Sequence, residues 1–275
     1  MRIPIPKGPL TLLVGIVIVV SIVFLVAFAD FLSPYGSNEF TNEILTPPNV
    51  AHPMGTDALG RDILSRIIYG ARVSVGIGLA AVAISGTIGV VVGAISAYYG
   101  GKLDRAISIP MDSIYSFPSI ITALLIAYSL GGGGPNTALA IAIAWIPSYF
   151  RVVRSIIFSV KELTFIEAEK AIGAGTIYII TRHILPACLP SIASLLTLGM
   201  RDAILAAAGL GFLGIGIPPP TPELGADLSE GRRALLSGAW WPSVFPGLMI
   251  FIIVLGFNML GEGLNELVKL RRTTR

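Results

Sequence analysis

Only one cysteine, Cys188, occurs in the 275 residues, and only two histidines, His52 and His183, far apart and each without a second ligand group beside it. An internal disulfide is therefore impossible, and a structural metal held by Cys and His has no ligand set. Charge is scarce as well: Asp, Glu, Lys and Arg make up 13% of the chain against 54% apolar residues, and the mean hydropathy is +0.81. Too little polar surface remains to cover a soluble globule, so the composition calls for lipid. The 19 Lys and Arg nearly balance the 16 Asp and Glu and fall in short clusters between apolar runs. No basic stripe of the kind that tracks a phosphate backbone is present, which argues against nucleic acid as a partner.

Long apolar runs are what the sequence has in abundance. Residues 10–29 carry no charge, and twenty residues of helix span about 30 Å, the thickness of the hydrocarbon core. Arg2 and Lys7 precede this run and Ala27-Phe28-Ala29 resembles a small-residue cleavage site, both marks of a secretory signal peptide. Its apolar core is longer than the roughly 7 to 15 residues of a signal, so a retained anchor is expected. Further runs at residues 73–99, 111–130, 137–158, 189–213 and 244–260 bring the expected spans to six. Pro118 lies in the third of these and Pro147 in the fourth, which leaves their ends open. The turn at 131–136, GGGGPN, ties spans three and four into a tight hairpin.

The fold class expected is all-α, a polytopic membrane bundle of six transmembrane helices. Positive loops cross membranes poorly, and a cytoplasmic N-terminus puts thirteen of the nineteen Lys and Arg on the inside. Both termini are then cytoplasmic. The chain divides into the N-terminus and first span (1–32), an outer segment (33–72), a five-helix core (73–264) enclosing a cytoplasmic loop (159–187), and a basic tail (265–275).

The cytoplasmic loop reads FIEAEKAIGAGTIYIITRHILP over residues 165–186. Its small and apolar residues share one side of a short helix, and Gly173-Ala174-Gly175 breaks that helix because glycine takes the φ > 0 turn readily. A second short helix, 176–183, is expected to end at Pro186. Two short helices on a glycine elbow suit a peg for a partner's groove, and equally a surface helix lying on the membrane.

Five other features matter. Gly209, Gly211 and Gly214 fit the dinucleotide fingerprint, but they close an apolar span instead of following a strand, so helix packing is expected. Gly89 and Gly93 make a small-residue step that lets helices approach, within this chain or against a second one. Arg201 and Asp202 sit inside a span, where each costs about 2.5 to 3.5 kcal/mol unless it faces water or a partner. Adjacent helix positions point about 100° apart, so separate partners are expected for the two, and either a place on a solute path or a structural role follows. Outside the spans, residues 59–69 alternate Arg61, Asp62 and Arg66 with apolar residues as a helix lying at the membrane interface would. Trp240-Trp241 suit the headgroup level.

Glu167-Ala168, Gly173 and Ile184-Leu185-Pro186 resemble the EAA loop of binding-protein-dependent ABC importer permeases. MGTDALGRDILSRIIYGAR (54–72), FLGIGIPPPTPELGADLSEGR (212–232), FPG (245–247) and FNMLGEGL (257–264) resemble the C-type subunit of the dipeptide, oligopeptide and nickel group. About 210 residues are covered, in family order. Departures are Glu169 for the second alanine of the triplet, Ala207 and Gly209 where relatives carry alanine and glutamate, and Arg201-Asp202 where small residues are usual.

The resemblance implies the type I ABC importer permease fold in the cell (inner) membrane. It makes Glu167, Ala168, Gly173, Ala174, His183 and Pro186 the ATPase-coupling residues, and Arg201 and Asp202 candidates for the translocation path. The partners it implies are a second permease forming a heterodimer, two ATPase subunits and an extracytoplasmic solute-binding protein. No catalytic site and no cofactor belong to this chain; ATP and Mg are bound by the ATPases. Peptides are the expected solute, with nickel or another small solute of the group as the alternative. A secondary transporter would need more intramembrane carboxylates than Asp202, and an intramembrane enzyme a convergent set of reactive groups at one depth.

Overall fold

A computed structural model describes residues 8–273 of the chain. Arg2, Lys7 and Arg275, counted above for orientation, lie outside the described residues. The architecture is helical: among the described residues the only β pairing is an isolated bridge between Thr56 and Asp62. Helix α1 (Gly8–Ala27) leads through the short α2 (Ala29–Leu32) and a long irregular segment to α3 (Ile63–Tyr99). Then come α4 (Gly101–Tyr115), α5 (Ser119–Leu130) and α6 (Gly134–Lys161). The loop helices α7 (Thr164–Ala171) and α8 (Thr176–Ile179) precede α9 (Leu185–Phe212), and α10 (Leu224–Ala234) precedes α11 (Trp241–Thr273). Among the described residues, five stretches are long and apolar enough to cross a membrane: Leu10–Ala27, Ile63–Tyr99, Gly134–Lys161, Thr176–Phe212 and Trp241–Lys269.

The third expected span, 111–130, is not a straight helix. Helices α4 and α5 meet at 86° and make a sixth crossing only as a broken pair. Pro118 lacks an N–H and forces Phe117 out of the helical region, so the bend falls at 116–118 while Pro110 stays inside α4. No residue of α4 is buried; ion pairs tether it instead. Arg154 donates to both Asp104 carboxylate oxygens at 2.5 Å, and Arg151 reaches Asp112 at 2.6 Å.

Close packing is glycine-mediated. A Cβ on Gly89 would lie 2.4 Å from the Tyr149 Cβ, and one on Gly93 would press on the backbone of Phe150 and Arg154. The small-residue step of α3 thus serves packing against α6 within this chain. Helix α1 lies against α11 in the same way: Gly15 meets the Leu260 backbone, Gly263 meets Leu12 and Gly256 meets Ile18. The Gly209–Gly214 run is also packing, since Gly211 admits the Glu223 carboxylate and the Ala226 N–H where a Cβ would sit.

At one end of the bundle, residues 33–62 and 213–240 fold into a cap. The expected interfacial helix at 59–69 is not there. Asp62 instead N-caps α3, accepting from the Ser65 N–H at 2.8 Å, and residues 63–69 are the first turns of that long helix. Arg61 and Arg66 are buried: Arg61 bonds Asp57 at 2.5 Å and Glu230 at 2.6 Å, and Arg66 binds Asp227 and the Ser37 carbonyl. An alternation of charge and apolarity reads alike for a helix on a membrane and for one whose charges are paired inside protein. His52 Nδ1 lies 2.9 Å from Asp62 Oδ1. Trp241 is buried as well, donating to the Thr56 carbonyl at 3.1 Å, so it pins α11 to the cap, while its neighbour Trp240 is exposed. Glu223 caps α10 through the Gly225 and Ala226 N–H groups at 3.0 and 2.8 Å. Burial pushes its carboxyl up, opposed by those two donors and Ser74. Between the cap and the start of α11 lies a cavity of about 340 Å³.

Candidate coupling segment and mid-span polar cluster

The loop between α6 and α9 is anchored by four residues. Ile166, Ile179, Ile184 and Cys188 are wholly buried against Ala94, Ala97, Val153, Ile157 and Val160 from α3 and α6. Two residues past the end of α7, Gly173 turns the chain with a φ of +85°, the left-handed conformation glycine favours, and the Ala174 N–H donates to the Glu169 carbonyl at 3.0 Å. The outward side carries Glu167 and Ala168 together with large apolar groups: Ile172 is 80% exposed and Ile177 77%. A rigid base and an unpartnered apolar face are what a docking peg needs.

The second loop helix does not stop at Pro186. Helix α8 passes through a π turn, Ile180–Ile184, straight into α9. Pro186 has no N–H to donate back, and the widened turn just ahead of it accommodates the ring so that the axis continues. Consequently the loop and α9 form one continuous helical stretch, Thr176–Phe212. His183, in the π turn, packs on the Tyr178 and Phe165 rings and brings Nε2 to 3.3 Å from Glu169 Oε1, outside hydrogen-bonding geometry. Glu169, the departure from the family triplet, is therefore the carboxylate facing His183. Glu167, Ala168, Gly173 and Ala174 fall together around the elbow, whereas Pro186 sits exposed at the base of α9.

Arg201 and Asp202 lie farther along α9, and they do bond each other. Arg201 Nε and Nη2 approach Asp202 Oδ1 at 2.9 and 2.8 Å, and Nη1 donates to Asn258 Oδ1 of α11 at 2.7 Å. The expectation of separate partners fails because a guanidinium on a long stem curls back across the 100° between adjacent positions. Asn258 in turn donates to Glu262 Oε1 at 3.1 Å, so a polar chain crosses from α9 to α11. Sequence reading missed Asn258 and Glu262, although the Asn-x-x-x-Glu spacing on α11 was a legible signal. Asp202 also lines an open cavity of about 380 Å³ with Ile120, Trp145, Leu205 and Ala206.

The sequence profile of the binding-protein-dependent transport system inner membrane component matches residues 89–274. The chain belongs to this family. The dipeptide transport system permease protein DppC of Alkalihalophilus pseudofirmus is 43% identical over 92% of this chain and 84% of its own. DppC of Haemophilus influenzae is 39% identical, covering 92% and 88%. The glutathione transport system permease protein GsiD of Escherichia coli is also 39% identical, covering 90% and 82%. Among solved structures, an inward-facing form of the MetNI methionine ABC transporter superposes with a TM-score of 0.57 at 18% identity. It covers 74% of this chain and 97% of that one, and carries the type I importer fold over to this family member.

Proposed function

We propose that this family member is the permease through which an ATP-driven importer passes short peptides into the cell, and that its loop at 159–187 receives the force. The observation that carries this is the continuity of Thr176–Phe212: the exposed elbow at Gly173 and the mid-span cluster on α9 are joined by one helical rod. A push on the elbow moves the rod, and with it the Arg201–Asp202 pair. Two ATPase subunits holding the elbows of this chain and of a second permease supply the push, with ATP and Mg bound on their side. A solute-binding protein delivers the solute at the cap, and alternating access follows from rocking the two permeases against each other. Peptides are the reading for the solute because two differently named relatives, for dipeptide and for glutathione, handle short peptides. Glu167, Ala168, Gly173, Ala174, His183 and Pro186 are the coupling residues in this reading, and Arg201 and Asp202 line the path.

Affinity purification of the tagged chain from its own membranes tests the reading. An ATPase subunit and a second permease are expected to co-purify, and the reconstituted complex to accumulate a dipeptide only with ATP and the binding protein. Accumulation driven by an ion gradient without ATP would overturn it.

A further inference from the structure

Three helices bring one residue each to the same depth. Asp202 precedes Phe212, the end of α9, by ten residues, Ile120 precedes Leu130, the end of α5, by ten, and Trp145 follows Gly134, the start of α6, by eleven. Each is therefore about 15 Å from the cap end, half the thickness of a hydrocarbon core. The cap ends are level because the Gly133 N–H donates to the Gly216 carbonyl at 3.1 Å. The three residues converge on the 380 Å³ cavity, and the break at Pro118 is what allows α5 to start there.

The Asp202 carboxylate is held asymmetrically. Both Arg201 contacts fall on Oδ1, leaving Oδ2 with no partner among the described residues. Arg201 is itself held by Asn258, so it orients Asp202 without swinging away. The side chain of Asp202 is 39% exposed and lines the cavity, as Trp145 does. A carboxylate and an indole lining one cavity suit a cation, the one for charge and hydrogen bonding and the other through the ring quadrupole. The apolar remainder, Ile120, Leu205 and Ala206, gives no anchor to an anion.

We propose that Asp202 and Trp145 form a mid-membrane subsite for a primary ammonium, the N-terminal amine of the peptide in transit. This rests on the peptide-importer reading and adds the group recognised. Arg201 is a positioning residue: it holds Oδ1 and leaves Oδ2 for the ammonium.

The test uses the complete transporter, with its second permease and ATPases, in lipid nanodiscs without the binding protein. Ala-Ala and N-acetyl-Ala-Ala, which differ in the ammonium, are offered separately and read by saturation-transfer NMR. Ala-Ala is expected to give a signal on the wild type, to lose at least fivefold on Asp202→Asn, and to exceed the acetylated peptide on the wild type. Equal signals from the two peptides, an Asp202→Asn complex that keeps the wild-type signal, or no Ala-Ala signal on the wild type would each overturn the subsite. Loss of the second permease from the Asp202→Asn complex would overturn it too, because Oδ2 would then be meeting a basic group of that partner. Proteoliposome uptake of Ala-Ala with the cognate binding protein separates the two claims. Uptake by the wild type alongside a failed binding result sinks the subsite alone, and no ATP-driven peptide uptake sinks both.

Discussion

Asp227 in α10 has one carboxylate oxygen on Arg66 and the other, Oδ2, buried with no partner among the described residues. Burial pushes its carboxyl up to about 7, more than the neighbouring Arg66 and Arg61 pull it down, with Glu230 adding to the rise. The folded cap thus holds a proton that the unfolded chain releases near the ordinary carboxylate value. Stability from this group is present at the acid side and declines as pH rises between about 4 and 7, then levels off. The melting temperature of the purified complex should fall more steeply from pH 5 to 7 in the wild type than in Asp227→Asn. Parallel curves would count against the assignment. A second pair of residues separates space from sequence. A Cβ at Gly89 meets Tyr149 at 2.4 Å, whereas nothing lies within 4 Å of one at Gly76 on the same helix. Gly89→Ala should destabilise by about 1 to 3 kcal/mol through overpacking. Gly76→Ala should be neutral or slightly favourable, since alanine is the better helix former. Heating followed by size-exclusion chromatography measures both.

The elements differ in how far the sequence disclosed them. Residues 10–29, 73–99 and 244–260 are readable because a charge-free run of that length has only one low-energy environment. The broken third crossing is not, since Pro110 and Pro118 look alike on paper and only the surrounding packing decides which one bends the chain. The rod through Pro186 fails to show for a similar reason: proline predicts a stop, and a π turn absorbs it. The elbow, by contrast, was legible, because Gly173-Ala174-Gly175 requires a conformation that few residues adopt. Its φ of +85° yields a prediction at this scale. A Cβ at Gly173 meets no atom within 4 Å, so Gly173→Val leaves the packing untouched but strains the left-handed turn, by of order 1–3 kcal/mol. The variant should insert and fold, yet lose ATP-driven uptake by tenfold or more and hold the ATPase weakly in pull-downs. Full uptake by Gly173→Val would remove the elbow from the coupling path.

At the scale of the whole molecule, the charges at its two ends bear on which way it faces. The loop end bears Lys102, Arg105, Arg151, Arg154, Lys161 and Arg182, and the cap end bears Arg61, Arg66, Arg72, Arg232 and Arg233; acidic partners face Arg61 and Arg66 at the cap and Arg151 and Arg154 at the loop end. Pairing is thus shared by both ends and adds nothing to the raw asymmetry. Insertion acts on the unfolded chain, where all five cap-side arginines count, and labelling from one side of the membrane reads the result. The molecule lends itself to such labelling. Its single cysteine, Cys188, is fully buried and will not report. Ile172, 80% exposed at the elbow, and Leu236, 95% exposed on the cap, become unique reactive sites as Ile172→Cys and Leu236→Cys. An impermeant maleimide added to intact cells (spheroplasts where an outer membrane intervenes) should label Leu236→Cys at once and Ile172→Cys only after permeabilisation. The opposite pattern would put the elbow outside, beyond reach of any ATPase in the cytoplasm, and the coupling through the Thr176–Phe212 rod would have no source of force.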